Sequence, residues 1–238
     1  PSRAAGSPHP ARSAEVVVMS GGLNAKFMQE KERFLDSHFI IFIKDQNLAT
    51  TGKGVYEFDL SKYDREPITT GAGKKMKTVL LQPFGTRGKA ASGKTKRIVG
   101  YYLPFGDNTA WHHRLVEDVD YCFTDTLNGC TFVVDSNRKT PFISHYNYVT
   151  GTGMIDQGKI DRHINNRYNS PTRTVGGAIR KDDYKTGGSL DYKVTIVGIR
   201  NGNRDWHFYY QRRQQDLVST KKGSQLQSVA LDSRVTLV

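Results

Sequence analysis

Short runs rich in β-branched and aromatic residues, each bounded by Gly, Asn, Asp or Pro, recur along the chain from residue 39 to its end. They fall at 39–44, 55–60, 77–82, 97–103, 121–124, 130–135, 142–149, 192–200, 206–212 and 228–237. Runs of this length and composition read as strands. No regular alternation with helices separates them, which argues against a parallel α/β sheet, and no internal repeat is present. The best helical pattern covers residues 23–38, where Leu23, Phe27, Met28, Phe34 and Leu35 keep helical spacing among Lys, Gln and Glu. Residues 111–119 fit a helical turn or a short helix. The expectation is an α+β chain that is mainly β, with a central β-sandwich, peripheral helices and long loops.

Residues 1–14 combine Pro, Ala, Ser and Arg without periodicity and read as a flexible linker, which leaves 15–238 as one domain. A chain of 238 residues buries a core of its own without a disulfide framework, and only Cys122 and Cys130 are present. No apolar run approaches the roughly 20 residues that span a bilayer, so the reading is a soluble protein. No Met opens the chain and no charged start leads into an apolar core, so it reads as a piece of a longer polypeptide without a signal peptide. Lys and Arg outnumber Asp and Glu by 35 to 23, giving a net charge of +12. That balance favours acidic partners, and the basic segments at 71–97 and 200–222 fit contact with an anionic membrane surface as well as a simply solvated face.

The most informative stretch runs from Phe123 to His145. Two strand-like segments flank a polar turn, and Gly129 precedes Cys130 at the start of the second strand. With a tight turn centred on Asn137-Arg138, antiparallel pairing places Cys130 directly opposite His145. Opposed residues have Cβ atoms about 4.5–5.5 Å apart, close enough for an imidazole to activate a thiol. Glycine permits the sharp turn and close approach that a nucleophile at a strand start requires, and the Cys130 amide is placed to serve as an oxyanion donor. The same residue types also suit a small buried hydrophobe and a sheet histidine, and spacing alone leaves both readings open.

Leu127-Asn128-Gly129-Cys130, with His145 fifteen residues beyond the cysteine, resembles the Leu-Ser-Gly-Cys motif of the cytotoxic necrotizing factor and dermonecrotic toxin glutamine deamidases. Thr124, six residues before Cys130, matches a threonine of the related Burkholderia lethal factor type. Asn128 departs from the family serine. The resemblance implies a catalytic pair of Cys130 and His145, with Thr124 and the main-chain carbonyl of Val99 holding the histidine. It also implies a β-sandwich core and no cofactor. The implied activity is deamidation of a glutamine on a host protein, chiefly a small GTPase of the Rho family. The enzyme would be a secreted, monomeric toxin domain released from a larger polypeptide and acting in the host cytosol. A Cys–His protease, a transglutaminase and a basic nucleic-acid-binding module are the alternatives.

Other motifs compete. Gly88-Lys89-Ala90-Ala91-Ser92-Gly93-Lys94-Thr95 has the letters of a phosphate-binding loop, but residues 97–103 just beyond it read as a strand where such a loop needs a helix. His112 and His113, with His163 or His207, lack a metal-ligand spacing. The aromatics of Trp206-His207-Phe208-Tyr209-Tyr210 fit alternating core positions better than a stacking platform. Asp118, Asp120 and Asp125 read as loop or strand-edge residues.

Overall fold

The computed structural model describes residues 21–43, 53–63, 68–70, 72–86, 97–116, 119–184, 191–220, 223–230 and 235–237. The linker at 1–14, the glycine-rich motif at 88–95 and Asp118 lie outside these residues.

The chain is mainly β with few helices. Seven strands form a mixed sheet nearly closed into a barrel. In chain order these are β1 (His38–Phe42), β2 (Gly54–Lys62), β4 (Lys75–Thr86), β5 (Ile98–Leu103), β7 (Tyr121–Thr124), β11 (Asp191–Arg200) and β12 (Trp206–Thr220). Their order in space is β1-β4-β2-β5-β7-β11-β12. Two pairs, β1 with β4 and β5 with β7, are parallel, and the others are antiparallel. Three further strands attach at the margins: β3 (Ile68–Thr69) on β4, and β13 (Gly223–Ala230) and β14 (Val235–Thr236) on β12. A separate antiparallel sheet has the order β10 (Val175–Ile179), β8 (Thr131–Asp135), β9 (Phe142–Asn147), β6 (Thr109–Arg114).

Period-two alternation explains how these sheets share their side chains. On β5, Ile98 and Tyr102 point into the rolled sheet while Tyr101 and Leu103 point out of it. Tyr121 and Phe123 point in from β7, and Cys122 between them points out. The inward residues of all seven strands join one cluster with Phe27, Phe34 and Leu35. These last three come from α1 (Gly21–Gln29) and α2 (Lys31–Ser37). The outward residues meet Phe132, Val134, Ile143 and Ile179 of the four-stranded sheet in a second cluster. The far face of that sheet is covered by α3 (Gln157–Tyr168), whose Ile160, Ile164 and Tyr168 form one apolar stripe.

Gln211 accounts for how nearly the large sheet closes. It is buried on β12, its Oε1 accepts from the Ile40 amide at 2.9 Å, and its Nε2 donates to the carbonyls of Leu35 and His38, each at 2.8 Å. One side chain thus satisfies main-chain groups at the start of β1 and in the last turn of α2.

The expected mainly β chain with few helices is present, as one sheet rolled nearly closed and a four-stranded sheet. Two expectations need correction. Two helices replace the single helix at 23–38, broken at Glu30, and each packs one apolar face on the large sheet. Residues 111–119 are not helical, because Thr109–Arg114 pairs with β9 over its whole length as β6. Tertiary pairing overrides local preference there.

Candidate active site

The chain passes from the large sheet to the four-stranded sheet between β5 and β6 and again between β7 and β8, and Cys130 is the last residue of the second crossing. Three attachments fix the segment. The Asp125 amide donates to the Leu103 carbonyl at 3.2 Å, extending the β5–β7 pairing by a residue. Leu127 exchanges two main-chain hydrogen bonds with Val194 of β11, at 2.8 and 3.0 Å. The Tyr184 hydroxyl then accepts from the Gly129 amide at 2.7 Å and donates to the Cys130 carbonyl at 2.8 Å. Tyr184 ends α4 (Lys181–Tyr184) and is fully buried. Burial foremost, with Cys130 beside it, pushes this phenol well above its ordinary range, so it keeps the proton it donates.

Gly129 has φ +96°, a conformation that side-chain-bearing residues avoid. The sharp turn expected at this glycine is therefore present, and it delivers Cys130 to the start of β8.

Cys130 and His145 are not directly opposite. His145 pairs with Phe132, and the ladder ends at Thr131 with Tyr146, which puts Cys130 opposite Asn147. The connection is longer than the tight turn the sequence suggested. The Asp135 carboxylate accepts from the amides of Asn137 and Phe142, and the Asn137 side chain accepts from Lys139 and Thr140. These bonds hold open a loop over residues 136–141 and move the register by two. A shift of two preserves the face, whereas a shift of one would reverse it. Cys130, Phe132, Ile143 and His145 accordingly all point toward the large sheet, with the thiol and the imidazole on one diagonal. Diagonal neighbours lie about 7–8 Å apart at Cα, within reach of long side chains.

His145 sits on the middle strand of three, with Phe132 on one side and Trp111 on the other. The Phe105 ring lies against it, the two centroids 6.2 Å apart. Phe105 is positioned by its neighbour: the Asn147 amide donates to the Gly106 carbonyl at 3.0 Å. Gly106 itself packs on Trp111 so closely that a Cβ there would stand 2.7 Å from Nε1 of the indole. Trp111 Nε1 is buried with no acceptor among the described residues.

Thr124 is the last residue of β7 and is buried; its hydroxyl donates to the Asp125 carbonyl at 2.9 Å, bracing the start of the crossing segment. Val99 lies near the beginning of β5, opposite Glu57, and packs on the edge of the cluster that contains Cys130.

Both members of the pair are enclosed, Cys130 and His145 each being 1% exposed. A cavity of about 420 Å³ adjoins the crossing segment, with Phe105, Asp125, Thr126 and Asn128 among its walls.

The other cysteine and the remaining histidines have separate surroundings. Cys122 is a free thiol packed beside Gly198 and Phe208, and burial pushes it far above the ordinary range. Both thiols are free, so no disulfide joins them. His112 and His113 point to opposite faces of β6. His112 meets the Ser144 hydroxyl at 2.7 Å on the α3 side, and His113 meets Tyr101 on the other. Burial, then the cations of Arg167 and Lys53, lower His112 to about 4. Among the described residues no cluster of His, Cys, Asp or Glu is arranged to hold a metal ion. Trp206, Phe208 and Tyr209 are buried core residues, as their alternation suggested. Asp120 pairs with Arg200 at 2.9 Å. No helix among the described residues is long and apolar enough to cross a membrane.

The first described strand after the glycine-rich motif is β5, from Ile98, and the motif itself lies outside the described residues. Tyr184, Trp111 and Phe105 went unrecognised as site residues in the sequence. Tyr184 stands in a short polar segment 54 residues from Cys130, and nothing local marks it. No protein-family model matches the chain, and no curated protein matches it.

Proposed function

We propose that the chain is a cysteine amidohydrolase that deamidates a glutamine side chain on a protein substrate. The observation that carries this reading is the placement of Cys130 and His145. They share one face of the β8–β9 pair, at a clamped glycine turn whose preceding residue, Asn128, lines a cavity. The resemblance of Leu127-Asn128-Gly129-Cys130 and His145 to the necrotizing factor deamidases, and of Thr124 to the lethal factor type, points the same way. The mainly β chain with few helices is compatible with the β-sandwich core that the resemblance implies.

His145 accepts the thiol proton as Cys130 Sγ attacks the carboxamide carbon of the substrate glutamine. The tetrahedral intermediate expels ammonia, which leaves with that proton. Water then attacks the thioester, the Cys130 thiol departs reprotonated, and the side chain has become glutamate. The carboxamide oxygen needs a donor as it gains charge. The Cys130 amide, at the glycine turn, is the group proposed for it.

With Cys130 and His145 each 1% exposed, a carboxamide reaches the thiol only if neighbouring residues move, and Phe105, which touches the His145 ring and lines the cavity, is the residue proposed to swing aside. The resemblance makes a Rho-type GTPase the first substrate to try. Loss of the amide from a glutamine that orients the hydrolytic water would lock such a switch on. Intact-mass analysis of the GTPase after incubation tests the reading. A gain of about one dalton per glutamine is expected for exchange of an amide for an acid. Cleavage would replace the proposal with a protease, an added amine would replace it with a transglutaminase, and an unchanged mass across candidate substrates would remove it.

A further inference from the structure

On the far face of the four-stranded sheet, away from Cys130 and His145, three arginines gather at one aromatic ring. Phe142 opens β9 on the side that α3 covers. The guanidinium carbons of Arg173, Arg167 and Arg114 stand 4.1, 5.7 and 5.8 Å from its ring centroid. The three come from separate elements. Arg114 ends β6 and is the cross-strand partner of Phe142, Arg167 lies in the last turn of α3, and Arg173 closes a turn by exchanging main-chain hydrogen bonds with Ser170. Arg114 and Arg167 are exposed and Arg173 is half-buried, so the cluster is open to a ligand.

Two of the arginines have part of a structural explanation. Arg114 donates to the Thr140 carbonyl at 3.0 Å, and a cation in the last turn of α3 suits the helix dipole. Arg173 has neither, and its Nε is buried with no acceptor among the described residues. None of the three forms an ion pair with a described residue. Asp135, on β8, is a carboxylate whose charge reaches Arg114 and Arg173. Its Oδ1 is taken by the amides of Asn137 and Phe142, and its Oδ2 is buried with no donor. The positive field extends along the same face to His112, on which Arg167, Lys53 and Arg173 all act.

We infer that Arg114, Arg167 and Arg173 form a binding site for a phosphate monoester. A guanidinium stacked on a ring engages it by its face and keeps its in-plane N–H donors for a ligand. Phe142 therefore holds the arginines in place without using up the groups that recognise an anion. A phosphate monoester presents three acceptor oxygens and about −1.5 to −2 of charge at neutral pH. Three oxygens give each arginine a charge-assisted hydrogen bond, whereas a carboxylate has two oxygens and a single charge. The inference does not depend on the deamidase reading, because these side chains lie on the opposite face of the sheet from Cys130 and His145.

The probe is glycerol 3-phosphate, titrated into the native protein by calorimetry, with acetate at equal ionic strength as the control. Saturable one-to-one binding is expected for the monoester and none for acetate. Arg173→Gln and Arg167→Gln are each expected to weaken it by about tenfold or more, since each removes a charge-assisted contact. Arg173→Lys is expected to recover only part of the loss, because it keeps the charge but not the planar fork. Circular dichroism checks each variant, and Arg167→Gln, on the exposed side of α3, serves where Arg173→Gln does not fold. Cosedimentation with phosphatidylcholine vesicles carrying a phosphatidylinositol phosphate then separates the sources of the group. Uptake that is lost in the arginine variants identifies a lipid headgroup, and glycerol 3-phosphate binding without uptake identifies a soluble monoester; either upholds the site. Absence of saturable glycerol 3-phosphate binding, equal binding of acetate, or binding unchanged in Arg173→Gln and Arg167→Gln would overturn it. Steeply salt-dependent binding of a single-stranded oligonucleotide without saturable monoester binding would also overturn it, by showing a surface for polyanions.

Discussion

Tyr184→Phe is the substitution in which structure most sharply specifies an effect. The ring stays and its packing in the inter-sheet cluster is kept, so only the hydroxyl is removed. That hydroxyl serves the Gly129 N–H at 2.7 Å and the Cys130 C=O at 2.8 Å. A buried group left without its partner costs about 1–3 kcal/mol, so two such groups place the loss at about 2–4 kcal/mol once the segment relaxes. For a chain of this size each kcal/mol moves the midpoint by about 2–4 °C, so Tm is expected to fall by about 5–15 °C. Urea unfolding followed by circular dichroism gives the free energy, and hydrogen exchange at the Gly129 amide shows where it is lost. Turnover is expected to fall as well, because the same two bonds hold the Gly129 turn that presents Cys130. A loss below about 0.5 kcal/mol with unchanged Gly129 exchange would show that Tyr184 does not clamp the turn.

Gln211→Leu removes three hydrogen bonds between β12 and the first strand region and is expected to cost about 3 kcal/mol or more, measured by urea unfolding; a neutral effect would refute the closure role. Phe105→Ala is expected to speed alkylation of Cys130 by iodoacetamide, read by peptide mass, while Cys122 stays unreactive because burial keeps its thiol protonated. Equal rates before and after the change would remove Phe105 as the gate. His112 titrates in the fold at about 4, below its ordinary 6.5, so the unfolded chain binds the proton first as pH falls. The stability this group contributes is complete above 6.5 and is lost between 6.5 and about 4. His112→Gln is expected to flatten that part of the stability profile, and an unchanged profile would assign the acid sensitivity elsewhere.

The strands were legible because their residues alternate between two interiors, and the expected run at 121–124 coincides with β7. β6 was not, since Trp111, His112 and His113 show no clean alternation and their strand character comes from β9. The stripe of Ile160, Ile164 and Tyr168 keeps helical spacing, but it sits among so many polar residues that α3 did not stand out. Cys130 and His145 were singled out as a candidate pair from a glycine, a spacing and a resemblance, all of them local. Their register was missed by two because hydrogen bonds from Asp135 and Asn137 set the length of the loop between them. Tyr184 and Gln211 act across more than 50 residues of sequence, where no local pattern reports them. The barrel-like closure escaped for the same reason, since it depends on which distant edges meet.

The most direct measurement is ammonia release from a glutamine-bearing protein substrate by the native chain and by Cys130→Ser, His145→Ala and Cys122→Ser, each checked for folding by circular dichroism. The catalytic assignment predicts that Cys130→Ser and His145→Ala are inactive but folded, and that Cys122→Ser retains activity. Full activity in Cys130→Ser, or selective loss in a folded Cys122→Ser, would contradict it.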